Sequence, residues 1–166
     1  MLLYLVRHGA AEASDMLRWP DDRGRPLTDD GARKLAKQAP ALRRLAPDVE
    51  LVLSSQLVRA WQTAELLARY GGWPNPEACP PLEPGGSPED VLDAVRAHPA
   101  VASVALVGHE PDLSALAGYV LCGQAGVSPF DFKKGAIASL EFGHLPAAAA
   151  GHLRWFLPPR LLRALA

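Results

Sequence analysis

Two arginines and two histidines stand where this 166-residue sequence allows chemistry. Arg7-His8-Gly9 follows the apolar run Leu2 to Val6. Ser54-Ser55 ends the run Leu51 to Leu53, with Arg59 shortly beyond. Gly108-His109 ends the run Val104 to Val107. A guanidinium offers a planar fork of donors that matches an oxyanion, and a neutral imidazole is a nucleophile or a proton carrier near pH 7. Together they describe an anion pocket, and phosphate is the usual such anion. Each residue alone has a plainer reading: a histidine at a strand end is commonly structural, and an arginine in a first helical turn is commonly solvated. The set of four is singled out because its members follow three separate strands. Zinc is the competing use of paired histidines. It needs a third ligand, for which Glu12, Glu110 or Asp112 is available, but the neighbouring arginines would repel the ion. The expectation is a site with no metal and no other cofactor.

The elements that must position these residues alternate in type. The continuous apolar runs at Leu2–Val6, Leu51–Leu53 and Val104–Val107 predict strands covered on both faces. Residues 12–26 are polar and proline-bearing, hence loop. Thr28 predicts a helix cap with Asp29 and Asp30 in the first turn, and the helix runs to about Leu45 unless Pro40, inside that pattern, kinks or shortens it. A second helix starts near Gln56 or Leu57 and stops at Gly71-Gly72-Trp73-Pro74. Residues 73–88 are expected to be loop. Ser87-Pro88-Glu89-Asp90 starts a third helix that ends near His98-Pro99, and Pro111 opens a fourth. A turn over residues 123–129 precedes strands at Ala136–Phe142 and Leu153–Phe156, and Pro159–Ala166 reads as a short helix. This alternation predicts an α/β fold with a mostly parallel central sheet, in one domain over 1–166. Ligands of such sheets bind at the carboxyl ends of the strands, where Arg7, His8, Arg59 and His109 can meet despite their separation in sequence. Helix N-termini there add positive dipole ends.

Bulk properties narrow the class. A net charge of -1 argues against a nucleic-acid binder, and 49% hydrophobic residues suffice for a real core. Cys79 and Cys122 form no CxxC pair and read as reduced thiols. No apolar run reaches the roughly 20 residues that cross a bilayer. The opening apolar run is short and has no basic stretch before it, so it is read as a strand rather than a signal peptide, and the expected location is the cytoplasm.

The motifs resemble those of the histidine phosphatase superfamily, which includes phosphoglycerate mutases. The resemblance rests on Leu5-Val6-Arg7-His8-Gly9, on Ser55-Gln56-Leu57-Val58-Arg59-Ala60-Trp61-Gln62-Thr63-Ala64, on Val107-Gly108-His109 and on Pro26-Leu27-Thr28-Asp29-Asp30-Gly31, in the family's order. The short length, Arg25-Pro26-Leu27-Thr28, the Leu82-to-Gly86 loop and Lys134-Gly135-Ala136-Ile137-Ala138-Ser139-Leu140 are most similar to the compact SixA-type phosphohistidine phosphatases. The resemblance implies a phosphoglycerate mutase-like three-layer α/β/α fold. It also implies a metal-independent reaction in which His8 attacks phosphorus and is transiently phosphorylated, while Arg7, Arg59 and His109 bind the phosphoryl oxygens. The other ring nitrogen of His8 should then donate to a carbonyl or similar acceptor.

Many superfamily members supply a general acid from the loop after the second helix. Here that loop holds Glu77 and Glu83, with Glu89 and Asp90 beyond, and Glu83 is the best-placed candidate beside the reading that it is a solvated loop acid. Arg25 is a candidate phosphate ligand from the loop side, with a surface role as the alternative. Lys133 and Lys134 offer a rim for an acidic partner or are simply solvated. Three functions follow: a phosphohistidine protein phosphatase, a phosphatase of small sugar or nucleotide phosphates, or an inactive module that only binds phosphate. The expected partner is a phosphorylated protein or small molecule, with neither nucleic acid nor membrane. Oligomeric state is left open.

Overall fold

The computed structural model describes residues 1–126 and 130–166. Six strands form one sheet: β1 (Leu2–Arg7), β2 (Leu51–Ser54), β3 (Pro76–Ala78), β4 (Ser103–Gly108), β5 (Ile137–Glu141) and β6 (His152–Leu157), in spatial order β3-β2-β4-β1-β5-β6. The pairs β2–β3, β2–β4 and β1–β4 are parallel, whereas β5 runs antiparallel to both of its neighbours. Among the described strands only β5 is reversed, so the sheet is mostly parallel.

The sheet is covered on both faces. Alternate side chains of its strands point in opposite directions. Leu3, Leu5, Leu51, Leu53, Val104 and Leu106 pack against helices α4 (Pro88–Arg96) and α5 (Asp112–Cys122) through Val91, Leu92, Leu113 and Leu116. Tyr4, Val6, Val52, Ala105 and Val107 pack on the other side against α3 (Val58–Gly71), α2 (Leu42–Leu45) and α6 (Pro159–Leu165) through Ala60, Ala64, Leu67, Leu42 and Leu162. The result is the three-layer α/β/α architecture. The continuous apolar runs are apolar for this reason: neither face of β1, β2 or β4 meets water.

Helix starts and stops follow the local chemistry. The Thr28 hydroxyl caps α1 (Asp29–Gln38) by accepting from Gly31 N at 3.0 Å. At Ala39–Ala41 the chain tightens into a 3-10 turn around Pro40 before α2 resumes, which is the break its ring imposes on an α-helical hydrogen-bond ladder. Ser87 caps α4 from Asp90 N at 3.1 Å, and Gly72, at φ 81°, closes α3 in the left-handed conformation that glycine adopts freely.

The expected loop over 73–88 needs one correction. It contains β3, three residues on the sheet edge, and a 3-10 turn at Pro80–Leu82. Pro76 masks such a strand in sequence, and an edge position is where a strand tolerates proline. Of the turn expected over residues 123–129, positions 127–129 lie outside the described residues. No helix among the described residues is long and apolar enough to cross a membrane.

Candidate active site

Sheet register brings the four residues together. Arg7 of β1 pairs with Gly108 of β4, and Val107 pairs with Ser54 of β2, so the segments that follow leave the sheet side by side. Backbone bonds carry the alignment past the strand ends: His8 N donates to Gly108 O at 3.1 Å, and Ser55 N to Val107 O at 3.0 Å. The His8 and His109 ring centroids are 5.1 Å apart. Both histidines and Arg59 are buried.

His8 is fixed in one tautomer. Its Nδ1 lies 2.7 Å from Gly9 O, an atom that can only accept, so Nδ1 carries the proton and Nε2 keeps its lone pair. Burial, reinforced by the charges of Arg59, Arg7 and Lys134, lowers the His8 pKa to about 4 despite its bond to Gly9. The ring is therefore neutral at pH 7. The loop beneath it is clamped: Gly9 N donates to Thr63 Oγ1 at 3.0 Å, and Thr63 in turn donates to Arg59 O at 2.7 Å. A Cβ at Gly9 would lie 2.5 Å from Leu35 Cδ1, so a side chain there would have to displace the buried Leu35.

His109 is held by Ser55, whose hydroxyl lies 2.8 Å from Nε2. Ser55 Oγ already accepts from Leu57 N at 3.2 Å. Assigning its hydrogen to His109 Nε2 satisfies both groups and leaves Nδ1–H as a free donor. Burial first, then the nearby His8 and Arg59, lower the His109 pKa to about 3.

The arginines are anchored at one edge and open at another. Arg7 Nη1 donates to Phe132 O. Phe132 N donates to the Glu110 carboxylate at 3.2 Å, which also accepts from the Ser114 hydroxyl at 2.8 Å. Arg59 Nη1 donates to Asp22 O at 2.9 Å, and Nη2 lies 3.0 Å from Asp22 Oδ2. Three buried polar atoms of this cluster, Arg7 Nε, Arg59 Nε and His109 Nδ1, have no hydrogen-bond partner. Unpaired buried donors are costly, and three in one place suit an incoming oxyanion.

The remaining candidates fall elsewhere. Arg25 spends its donors on the loop: Nε lies 2.7 Å from Asp22 Oδ1, and Nη1 donates to Glu12 O at 2.8 Å. Its charge still reaches His109. Glu83, the candidate acid, is engaged by both Nη atoms of Arg23, with Nη2 to Oε1 at 2.7 Å. That pairing lowers its carboxyl pKa, the opposite of what a proton donor needs. Glu77 lies on the exposed edge strand β3, and Glu89 pairs with Arg96. Lys133 and Lys134 are exposed. Among the described residues no three His, Cys, Asp or Glu side chains gather as a metal site would require.

Asp22, Thr63 and Glu110 were not singled out for these positioning contacts by sequence. Thr63 lies inside the stretch quoted for the resemblance, which was its only signal.

The model of the histidine phosphatase superfamily (branch 1) matches residues 3–83. Phosphohistidine phosphatase SixA of Escherichia coli (strain K12) is 32% identical over 165 residues, covering 96% of this chain and 94% of that protein. The solved structure of the protein histidine phosphatase SixA complexed with tungstate superposes with a TM-score of 0.84 at 29% identity, covering 98% of this chain and 99% of that one. A putative alpha-ribazole-5'-P phosphatase from Escherichia coli shares the fold, with a TM-score of 0.75 at 18% identity over 96% of this chain and 98% of that one.

Proposed function

The chain belongs to the histidine phosphatase superfamily, in its SixA-type branch, and from that premise we propose that it is a phosphatase of phosphohistidine in proteins. One observation carries the choice of substrate. Asp22, which grips Arg59, and the candidate acid Glu83 are both paired with arginines and held below the usual carboxyl range. A histidine-bound phosphoryl group can depart from a neutral imidazole whose second nitrogen already bears a proton. An alkoxide instead needs an acid at the bridging oxygen.

In the proposed reaction the His8 Nε2 lone pair attacks phosphorus as the P–N bond to the substrate imidazole breaks. Arg7, Arg59 and the His109 Nδ1–H bind the phosphoryl oxygens and stabilise the charge that develops on them. Water then attacks phosphorus, the bond to Nε2 breaks, and His8 recovers its lone pair. The water protons remain on the departing phosphate. Nδ1–H stays on Gly9 O throughout, so His8 needs no proton of its own. Arg25 joins the clamp through its charge. The phosphorylated partner is a protein met in the cytoplasm.

A second reading rests on the position of Glu83 at the rim, where an alkyl phosphate would meet it if Arg23 released it. The chain would then act on small sugar or nucleotide phosphates. The inactive binding module is set aside because the relatives are phosphatases and the reacting residues are all present.

The discriminating measurement is kcat/KM on three substrates: a histidine-phosphorylated protein domain, an aryl phosphate and an alkyl phosphate. The expected order places the phosphohistidine protein first and the alkyl phosphate last. Turnover of the alkyl phosphate above that of several phosphohistidine domains would reject the proposal in favour of the second reading.

A further inference from the structure

An arginine has two edges that can grip an oxyanion: the end formed by Nη1 and Nη2, and the side formed by Nε with one Nη. In Arg59 the end is spent. Nη1 donates to the Asp22 carbonyl at 2.9 Å, and Nη2 meets Asp22 Oδ2 at 3.0 Å. The side is open, because Nε is buried and without a partner. The Arg59 side chain is 5% exposed, so water does not compete for it.

Asp22 is itself braced. Its second oxygen, Oδ1, accepts from Arg25 Nε at 2.7 Å, and Arg25 is tied to the Glu12 carbonyl at 2.8 Å. The 3-10 turn Asp22–Gly24 is capped by Asp21, whose carboxylate accepts from Arg23 N at 2.9 Å. The carboxylate therefore sits between two guanidiniums, and the trio keeps a net positive charge to offer an anion. Burial pulls the Arg59 pKa down, and Asp22 acts against that pull.

We infer that Asp22 is a positioning residue: it grips Arg59 end-on from the 12–25 loop, so that the side-on Nε edge is presented to the phosphoryl group. The inference rests on the reading of Arg59 as a phosphate clamp. It also assigns the loop a task. Residues 12–25 hold few packed apolar groups, yet they carry the only ion-pair partner of Arg59 among the described residues.

The test is a double-mutant cycle, which separates action through Arg59 from general support of the loop. Wild type, Asp22→Ala, Arg59→Ala and the double variant are compared by kcat/KM on an aryl phosphate and by inhibition with orthovanadate. Misplacing a clamp by about 1 Å costs on the order of 100-fold. Asp22→Ala is expected to lower kcat/KM by roughly 10- to 100-fold and to weaken orthovanadate in step. In the Arg59→Ala background the same change should alter either readout by less than about twofold. Asp22→Asn keeps only one of the two side-chain acceptor oxygens and turns an amide donor toward the other guanidinium, so it should recover only part of the loss. Equal losses from Asp22→Ala in both backgrounds, or no loss in the first, would overturn the inference. Wild-type turnover by Arg59→Ala would remove the clamp reading itself. All of these readouts are independent of whether the natural substrate is a protein.

Discussion

The floor and the rim of the site use similar residue types to opposite ends. On the floor, His8, His109 and Arg59 are buried and each is held through one edge, while Arg59 Nε and His109 Nδ1 are left without a partner. At the rim, Arg23 and Glu83 satisfy each other with two hydrogen bonds in contact with solvent. The floor thus carries unmet hydrogen-bonding capacity that an oxyanion can fill, whereas the rim has already spent its own. Burial is what separates the two. An ion pair in water is worth at most about 1 kcal/mol, while a desolvated donor aimed at developing charge contributes several. In the proposed reaction the chemistry belongs to the floor, and the rim bears on which molecules reach it.

The largest effect expected from this contrast is at His8. His8→Ala removes the proposed nucleophile and should lower turnover by roughly 10,000-fold or more, with loss of any phosphoenzyme trapped by acid quench. Substantial turnover in that variant would move the chemistry off the floor. An intermediate effect concerns pH. His8 and His109 have folded-state pKa values of about 4 and about 3, below the ordinary 6.5 of an unfolded histidine. Between pH 6.5 and 5 the unfolded chain binds protons that the folded chain refuses. The stability these rings contribute is therefore complete above 6.5 and declines as pH falls. Thermal melts should show Tm falling across that window, and His109→Gln should flatten the slope. An unchanged slope would show that His109 is not buried neutral. The smallest effect is expected at the rim. Glu83→Gln should change turnover of a phosphohistidine protein by less than about twofold, because in the proposed reaction the carboxylate donates no proton. A loss above tenfold would place Glu83 in the reaction and erase the contrast.

How much of this was legible in the sequence follows the same division. Strands β1, β2 and β4 were readable because full burial makes them continuously apolar, and the residues after them were readable because strand ends in a parallel sheet converge. The break at Pro40 and the caps at Thr28 and Ser87 were likewise local chemistry. β3 was hidden because its short, proline-bearing edge lacks an apolar pattern. The Arg23–Glu83 pair joins residues 60 positions apart in two loops, and no periodicity registers such a contact. Asp22 stands in the run Asp21-Asp22-Arg23-Gly24-Arg25, where five neighbouring residues offer many pairings and only the folded path of the loop selects Arg59. Thr63 lay inside a quoted motif, but its bond to Gly9 N depends on α3 lying beneath the end of β1.

The bond from His8 Nδ1 to Gly9 O has a regiochemical consequence. A phosphorylated histidine exists as two positional isomers, and free imidazole can react at either nitrogen. Here one nitrogen is masked by the carbonyl of the next residue, so the proposed intermediate forms as the Nε2 isomer alone. Antibodies or nuclear magnetic resonance that distinguish the two isomers would therefore find a single species on the enzyme, whichever isomer its substrate carries.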